Sequence, residues 1–402
     1  MKIVRIIARL NVGGPARHVV WLTKALNNEE FQSSLLTGSV PEGEEDMSYF
    51  AEENGVQPFY IPEMSRELSA KDIVSLWKVY RQICREKPEI IHTHTAKAGF
   101  VGRTAGFFYR WLNWKKVKIV HTFHGHVFHS YYGNLKTKLF LFIEKNLARF
   151  VTDKIIVITP QQFKEIHHDF GVGKKEQFQI IPLGIDLEKF VKAEEKRSIL
   201  RDEIGAKPDE ILVGFVGRLT EIKNVSMLLK VAELYEKNKI SEFPKLKFVI
   251  IGDGNMRESL EKEAESLGLK GKVLFLGNRN DANIFYAGLD IVALVSLNEG
   301  TPLSLIEAMA NGRAVISTNV GGVVDLLGAV ESEENNFKVC ERGVRIDSHS
   351  AEDFYQGLLH LAQKSELREN YVNRGKTFTE SNYSKTRLIK DISELYRNLR
   401  PS

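Results

Sequence analysis

The sequence has little cysteine: only Cys84 and Cys340 occur among its 402 residues. Two distant cysteines exclude a disulfide framework and a cysteine-rich zinc ribbon, and they are typical of a protein in a reducing cytosol. No apolar run approaches the roughly 18 residues that a membrane-spanning helix needs. Residues 1–9 alternate charged with apolar side chains and predict a first strand rather than a signal peptide. We therefore expect a cytoplasmic protein, at most peripheral on the inner face of the plasma membrane.

Acidic residues are missing from one long stretch of the chain. Residues 90–143 contain eight Lys and Arg and six of the eleven histidines, but no Asp or Glu. An α/β segment without a carboxylate presents a positive surface. Within it, residues 107–118 interleave aromatic with basic side chains. Residues 136–150, which begin inside this stretch and extend beyond it, are an apolar helical segment. A core helix with a solvated basic end and docking on an anionic membrane explain this pattern equally well. Aromatic–basic interleaving also suits single-stranded nucleic acid, which we do not predict as a partner.

Strand and helix signals alternate in two series along the chain. Runs rich in β-branched residues predict strands, and stretches with apolar residues three and four apart predict the helices between them. The predicted strands are 3–8, 90–94, 118–123, 154–159, 179–182, 211–216, 246–251, 273–276, 291–295 and 314–317, and the predicted helices include 70–85, 98–109, 136–150, 225–237, 255–267, 302–311, 350–363 and 384–399. This alternation predicts an α/β protein of two Rossmann-like, doubly wound parallel-sheet domains, 1–188 and 189–383, with ligands at the carboxyl ends of the strands.

One candidate binding site follows the predicted strand 291–295. The string Glu299-Gly-Thr-Pro-Leu-Ser-Leu-Ile-Glu307 predicts a helix that begins near Pro302. The unpaired N–H groups and the positive dipole end of a helix start bind anions, and Glu307 lies roughly 7–8 Å further along this helix. Two carboxylates beside an anion site suit a nucleotide sugar, because they accept hydrogen bonds from sugar and ribose hydroxyls. Two isolated glutamates are more often a turn residue and a partly exposed helix carboxylate.

A second candidate site follows the predicted strand 211–216. Gly217 lets the chain leave the strand tightly, and Arg218 and Lys223 flank the next helix start. Two cations at this sheet edge fit a diphosphate, since each charge-assisted hydrogen bond contributes on the order of 1.5–3 kcal/mol. They also oppose the negative charge that grows on a departing diphosphate. Taken alone, they are more simply explained as solvated surface charges.

The ordered set of motifs resembles the retaining family-four glycosyltransferases, which have the GT-B fold. The donor-domain motifs are Gly217-Arg-Leu-x-x-x-Lys-Asn224, Ile251-Gly-Asp-Gly-Asn255, Gly277-Asn-Arg-Asn-Asp281, Glu299-Gly-x-Pro-Leu-Ser-x-x-Glu-Ala-Met-Ala310 and Gly321-Gly322. The N-terminal motifs are Gly13-Gly14, His92-Thr-His94 and His121-Thr-Phe-His124-Gly, so that the resemblance covers nearly the whole chain. The likeness is to bacterial enzymes that build capsule, exopolysaccharide or lipid-linked oligosaccharide. The sequence departs from the common pattern at Val323-Val-Asp325, where Pro-Glu is usual.

This resemblance implies an activity. A sugar is transferred with retention from a nucleotide diphosphate donor, a UDP-hexose or UDP-N-acetylhexosamine, to a saccharide or a polyprenyl-diphosphate-linked saccharide. The resemblance implies no cofactor and no divalent metal. It also implies that a C-terminal helix, at about 384–402, crosses back to the first domain.

The resemblance also implies roles for single residues. Arg218 and Lys223 bind the donor phosphates. Glu299 contacts the transferred sugar, and Glu307 the ribose. His124 contacts the sugar near the reacting carbon. The other donor-binding residues are Gly13, Gly14, Gly217, Gly252, Arg279, Gly300, Thr301, Pro302, Leu303 and Ser304, and the candidates for acceptor binding are Arg17, His94, Lys97 and His126.

Other functions fit parts of the pattern. A non-hydrolysing sugar-nucleotide epimerase binds the same donor on the same fold, and a two-lobed sugar- or nucleotide-binding protein shares its outline. The segment 252–257 resembles a dinucleotide fingerprint but lacks its third glycine. The histidines of 90–143 are residues of a type that binds metals. No carboxylate accompanies them, however, and the nearby cations repel a divalent ion, so we predict no metal site.

Overall fold

The computed structural model describes residues 1–11, 13–41, 46–64, 71–125, 134–190, 193–238 and 243–400, with all of their side chains except those of 134–136. The chain divides into two compact units, Met1–Gly184 with Lys385–Ser402, and Ile185–Ser384. Across the described ranges, no helix is both long and apolar enough to span a membrane.

Each unit has its own sheet and helices. The strands are β1 (Lys2–Arg9), β2 (Gln32–Gly38), β3 (Phe59–Tyr60), β4 (Ile90–His94), β5 (Lys118–Thr122), β6 (Lys154–Val157) and β7 (Phe178–Ile180) in the first unit, and β8 (Glu210–Val216), β9 (Lys245–Ile251), β10 (Val273–Gly277), β11 (Ile291–Leu294), β12 (Ala314–Thr318), β13 (Val330–Glu333), β14 (Lys338–Cys340) and β15 (Gly343–Ile346) in the second. The helices are α1 (Gly14–Ala25), α2 (Ser48–Glu53), α3 (Lys71–Glu86), α4 (Ala96–Leu112), α5 (Asn134–Phe150), α6 (Pro160–Phe163), α7 (Arg197–Glu203), α8 (Val225–Lys237), α9 (Arg257–Ser266), α10 (Ala282–Gly288), α11 (Leu303–Ala310), α12 (Val323–Leu327), α13 (Ala351–Gln363), α14 (Ser365–Tyr383) and α15 (Lys385–Asn398).

The first unit is a parallel sheet covered by helices on both faces. Its strand order is β3-β2-β1-β4-β5-β6-β7, and every pair is parallel. Successive strand residues point to opposite faces. Val4 and Ile91 accordingly pack in the core with α3 and α4, whereas Ile3 and Ile90 pack in the core with α1 and α15. The last helix of the chain therefore completes the core of the first unit.

The second unit has an eight-stranded sheet in the order β10-β9-β8-β11-β12-β15-β14-β13. The pairings from β10 to β15 are parallel, and β14 and β13 are added antiparallel. The chain runs outward from β8 to β10 and then returns to place β11 on the other side of β8. The order of the strands thus reverses between β8 and β11, and ligands bind at such points in doubly wound sheets.

The predicted fold class is confirmed, with differences in single elements. The prediction misses β2, β3 and the three strands β13 to β15. All residues of β3 and β13 are exposed, so these strands lack the apolar pattern on which the prediction depends. The predicted helix 302–311 begins one residue later, at Leu303, and Pro302 is its N-cap. Leu187–Phe190 and Ala193–Lys196 form short 3-10 turns, α7 follows, and these residues belong to the second unit.

Candidate functional site

The two candidate sites predicted from the sequence meet at the reversal point of the second sheet, between β8 and β11. Gly217 follows β8, and Ser296 and Glu299 follow β11, its neighbour in the sheet. The amide N–H of Leu297 donates to the carbonyl of Ile222 at 2.8 Å, which ties the two loops together. Parallel neighbours end at the same edge, so residues far apart in sequence, such as Ile222 and Leu297, share one site.

An ion pair joins the two loops. The Nζ of Lys223 lies 2.5 Å from Oε1 of Glu299, and the same oxygen accepts a hydrogen bond of 2.7 Å from the hydroxyl of Ser296. The side chains are 24% and 10% exposed, so that water screens the pair only in part. An ammonium group has three donors. Lys223 can therefore hold Glu299 and still donate to an anion beside it.

Arg218 differs from Lys223 in its surroundings. Its side chain is exposed, and no carboxylate in the described ranges pairs with it. A guanidinium presents a planar fork of donors and stays charged at all physiological pH values. The loop after β8 thus carries one cation fixed by Glu299 and one that is free to meet a ligand.

The start of α11 supplies backbone donors near these side chains. Pro302 is the N-cap of α11, and its side chain accepts no hydrogen bond. The first N–H groups of the helix therefore have no capping side chain as a partner. The hydroxyl of Thr301 is buried and has no hydrogen-bond partner in the described structure. Gly300 is held from the other side, because its carbonyl accepts from the N–H of Gly322 at 2.7 Å. Leu303 and Ser304 begin the helix and are half-buried. This end of α11 has the composition of an anion- and hydroxyl-binding site.

Glu307 lies on α11 and is half-buried. The hydroxyl of Tyr286, on α10, donates to its Oε2 at 3.2 Å. Tyr286 itself is fully buried, so it holds the carboxylate from the core side. Glu307 is positioned to accept further hydrogen bonds, because an ionised carboxylate has about four acceptor sites.

Gly252 acts through close packing. A Cβ on Gly252 would lie 2.0 Å from the carbonyl oxygen of Gly217, and its φ of +133° disfavours other residues. The loop after β9 also accepts from the N–H of Leu219 through the carbonyl of Asp253, at 2.9 Å. Gly252 therefore allows the loop that carries Arg218 to rest on the loop after β9.

Arg279 is engaged by two carboxylates. It makes a two-point pair with Asp281, at 2.9 and 2.6 Å, and a third bond of 2.6 Å to Glu203. These bonds raise the pKa of its guanidinium further above the usual range. In this conformation the side chain anchors the loop after β10.

The first unit gathers histidines at the carboxyl edge of its sheet. His92 and His94 lie on β4, His124 follows β5, and His18 lies on α1. Nδ1 of His92 forms a hydrogen bond of 2.5 Å with the hydroxyl of Tyr396, and its Nε2 forms one of 2.7 Å with the hydroxyl of Thr122. Nδ1 of His94 and Nε2 of His124 share a hydrogen bond of 3.0 Å. Sequence analysis overlooks His18, because a single histidine in an amphipathic helix carries no spacing signal.

These imidazoles are neutral at pH 7. Burial lowers the pKa of His18, His92, His94 and His121 well below the usual 6.5, and neighbouring cations and histidines lower it further. Burial also lowers the pKa of His124 to about 4. Although the His124 side chain is partly exposed, its Nδ1 is buried and its Nε2 is bonded to His94. The cluster therefore offers hydrogen-bond donors and lone pairs rather than positive charge.

The other predicted residues of the first unit have varied surroundings. Lys97, at the start of α4, is buried and forms an ion pair with Asp72 of α3, so it carries no free charge. Arg17 is exposed on α1, and Gly14 is the first residue of that helix, with Gly13 as its N-cap. His126 lies outside the described residues.

Comparisons with known proteins match both units. The family model of the group 1 glycosyl transferases matches residues 196–378, and that of glycosyltransferase family 4 matches 12–189. The chain is 32% identical over 275 residues to the UDP-Gal:alpha-D-GlcNAc-diphosphoundecaprenol alpha-1,3-galactosyltransferase of Escherichia coli, covering 67% of this chain and 68% of that protein. It is 27% identical over 327 residues to the putative glycosyltransferase EpsD of Bacillus subtilis, covering 79% and 80%.

Solved structures share the fold. Anabaena Alr3699/HepE in complex with UDP superimposes with a TM-score of 0.80 at 19% identity, over 99% of this chain and 100% of that one. The lipopolysaccharide outer core galactosyltransferase WaaB superimposes with a TM-score of 0.70 at 15% identity, over 99% of each chain.

Proposed function

We propose a donor, an acceptor and a stereochemical course for this chain, which belongs to the family 4, group 1 glycosyltransferases and has their GT-B fold. The donor is a UDP-hexose or UDP-N-acetylhexosamine, and the acceptor is a saccharide carried on a polyprenyl diphosphate. The sugar is transferred with retention of its anomeric configuration and without a divalent metal.

The observation that carries the donor assignment is the Lys223–Glu299 pair at the reversal point of the second sheet. In our proposal the diphosphate binds at the start of α11, with Arg218 and Lys223 as its cations. Glu299 accepts hydrogen bonds from the hydroxyls of the transferred sugar, and Glu307 from those of the ribose. The backbone of Gly300–Ser304 completes the site.

The chemistry then depends on charge at the leaving group. As the bond from the anomeric carbon to the diphosphate oxygen breaks, negative charge grows on that oxygen, and Arg218, Lys223 and the helix start oppose it. The acceptor hydroxyl forms the new bond on the same face and passes its proton to the departing oxygen. Glu299 is already engaged by Lys223 and Ser296, which favours a role in holding hydroxyls over one as a nucleophile.

Arg218, Lys223 and the start of α11 support the proposal that transfer needs no divalent metal. A divalent ion in nucleotide-sugar enzymes needs oxygen ligands, chiefly carboxylates. Among the described residues, the group that could hold a metal is three histidines of the first unit, and no carboxylate cluster stands beside Arg218 and Lys223. Two cations and a helix start replace the ion, so we expect transfer to continue in the presence of a chelator.

The relatives support the choice of substrates. The name of the Escherichia coli protein specifies a UDP-linked donor and a diphosphoundecaprenol acceptor. Alr3699/HepE was crystallised with UDP and with UDP-glucose. We propose the same base for this donor and the same class of carrier for this acceptor.

A binding screen tests the donor. UDP should raise the melting temperature of the purified protein, whereas GDP and ADP at equal concentration should not. At 100 times its Kd, a ligand stabilises the folded protein by about 2.7 kcal/mol. Lys223→Ala should reduce the shift, and Lys262→Ala, which removes an exposed lysine of α9, should keep it. A shift with GDP or ADP alone would disprove the choice of base, and the absence of any shift would contradict the site.

The membrane partner is proposed from one surface of the first unit, which we call the aromatic–basic surface. It consists of exposed side chains from α3, the end of α4 and α5: Ile73, Trp77, Phe107, Phe108, Trp111, Leu112, Trp114, Lys115, Lys116, Leu139, Phe142 and Phe150. Trp111 is 64% exposed and Trp114 90%. Exposed aromatic rings beside lysines suit the headgroup region of an anionic bilayer.

The charge of this surface is not cancelled by the nearest acidic residue. Glu144 is the first carboxylate after residue 89. Its side chain is buried against Arg103 rather than facing outward. Asp153 pairs with Arg110 and Lys118, so the exposed Lys115 and Lys116 carry the positive charge of this surface. A carrier lipid in an anionic membrane would be close to the first unit.

Liposome flotation tests this surface. The protein should float with vesicles that contain anionic lipid and stay behind with neutral ones. Lys115→Glu with Lys116→Glu, and separately Trp111→Ala with Trp114→Ala, should reduce flotation severalfold. Lys262→Glu with Lys270→Glu, an equal charge change on the second unit, should have no effect. Equal flotation of all variants would contradict the proposal, and binding to single-stranded nucleic acid instead would favour the rejected alternative.

A further inference from the structure

Three imidazoles of the first unit come together although their residues lie far apart in sequence. His18 is on α1, His94 is on β4 and His124 follows β5. Their ring centres are 5.5, 4.8 and 5.2 Å apart. One ring nitrogen from each residue lies within 4.8 Å of one from each of the others.

Hydrogen bonding leaves these rings unsatisfied. His94 and His124 share one bond, so Nε2 of His94 and Nδ1 of His124 have no partner, and neither nitrogen of His18 has one. The side chain of His18 is only 3% exposed. A buried polar atom without a partner loses its hydrogen bonds to water without compensation and calls for an explanation. His92, on the same strand as His94, has both nitrogens satisfied, which marks the three other rings as a separate group.

We propose that His18, His94 and His124 bind one transition-metal ion of the zinc class. Imidazole nitrogen suits Zn²⁺, Co²⁺, Ni²⁺ and Cu²⁺, whereas Mg²⁺ and Ca²⁺ prefer oxygen ligands. Bonds of about 2.0–2.1 Å place the nitrogens of a tetrahedral site roughly 3.4 Å apart. One nitrogen of each ring lies within 4.8 Å of one from each of the others, so the widest pair needs to close by at most about 1.4 Å to reach this spacing.

The surroundings define what kind of site this is. No carboxylate contributes a ligand, and the buried Arg5 lies near enough to act on the charge of His18 and His94. The ion therefore keeps its double charge beside another cation, which weakens binding. Three protein ligands leave a fourth position open, and an anion such as hydroxide suits it because it reduces the net charge.

The metal would act as an inhibitor of sugar transfer. This consequence, unlike the metal site itself, rests on the proposed function and on the role that the family resemblance implies for His124, a contact with the transferred sugar. A metal ion on one nitrogen of His124 occupies that nitrogen and fixes the ring, which leaves only the other nitrogen for the sugar and weakens the contact. Zn²⁺ should therefore lower turnover, whereas Mg²⁺ should leave it unchanged.

A cobalt titration of the full, chelator-treated chain tests the site. Co²⁺ should bind once per chain and develop the intense visible absorption of a tetrahedral site, and Zn²⁺ but not Mg²⁺ should displace it. His18→Asn and His94→Asn should each weaken binding at least tenfold. His168→Asn, which removes an exposed histidine of the same unit, should leave it unchanged. Binding that persists in His18→Asn and His94→Asn, or that is lost in His168→Asn, would overturn the site.

A second measurement is independent of the folding of variants. X-ray absorption on the wild-type protein with one equivalent of Zn²⁺ should give three imidazole nitrogens at about 2.0–2.1 Å. A first shell of oxygen atoms, or fewer than three imidazoles, would disprove the site. If Zn²⁺ binds in this way without slowing transfer, the site stands and the role proposed for His124 falls.

Discussion

Replacing Lys223 by alanine should lower turnover by well over tenfold, a loss of more than about 1.4 kcal/mol of transition-state stabilisation. The same loss is expected for Arg218→Ala and Glu299→Ala. The two cations oppose the charge on the leaving diphosphate, and Glu299 both orients Lys223 and holds the sugar. Because negative charge grows only as the bond breaks, the loss of either cation should lower kcat more than it raises KM.

The ion pair makes a further prediction for combined variants. Lys223 and Glu299 act through one contact, so their losses should not add, and the double variant should be little worse than the poorer single one. Glu299→Gln should retain part of the activity, because an amide still accepts a hydrogen bond from a sugar hydroxyl. The activities of these variants are measured as steady-state rates of transfer from a UDP-sugar to a lipid-linked acceptor.

Lys262 and Glu258 on α9 are the matched control. Their ion pair of 2.6 Å has side chains 72% and 83% exposed. Lys262→Ala and Glu258→Ala should change neither kcat nor KM. Undiminished turnover in Arg218→Ala, Lys223→Ala and Glu299→Ala together would refute the donor site.

Glu144→Ala should destabilise the first unit by about 3–5 kcal/mol, because it leaves the charge of Arg103 buried without a partner. Arg103 is fully buried on α4, and two bonds of 2.6 Å join its guanidinium to both carboxylate oxygens of Glu144 on α5. Its Nε also donates to the carbonyl of Gly99 at 2.8 Å. Urea unfolding followed by circular dichroism measures the loss.

The chain offers a control of the same geometry at the surface. Arg397 and Glu30 also form a two-point pair, at 2.8 Å for both bonds, but their side chains are 51% and 49% exposed. Glu30→Ala should cost far less than Glu144→Ala, because water screens an exposed pair. Arg103→Met combined with Glu144→Leu should recover much of the stability, since apolar residues of similar size can replace a buried pair. Equal losses in Glu144→Ala and Glu30→Ala would show that burial of the pair does not matter.

The fold class could be predicted because its signal is local. Buried parallel strands such as β4 and β8 are short runs of β-branched residues, and helices between them repeat apolar residues every three or four positions. Edge strands escaped the prediction, since β3 and β13 expose every residue and keep no such pattern. Periodicity predicts the C-terminal helix and the family resemblance implies its return to the first domain, but only the structure shows which of its residues enter the core of the first unit.

The candidate site could be predicted only in part. Gly217, Arg218, Lys223, Glu299 and Glu307 stand in motifs whose order along the chain indicates a donor site. Their roles remain predictions, and the pairing of Lys223 with Glu299 could not be foreseen, because charge alone does not say which partner a side chain meets. Ser296 and Tyr286, which hold the two glutamates, carry no motif of their own.

The sequence by itself determined that this protein is α/β, that it belongs among the glycosyltransferases, and that residues 90–143 are basic, because composition, periodicity and motif order are properties of the chain. Only the tertiary structure decided which charged side chains pair with one another. It joins Lys223 to Glu299 across the reversal of the second sheet, neutralises Lys97 with Asp72, and buries Glu144 against Arg103. It also brings His18 to His94 and His124. The reason is that parallel strands collect their carboxyl ends at one edge, so contacts there follow the order of strands in the sheet and not the order of residues in the chain.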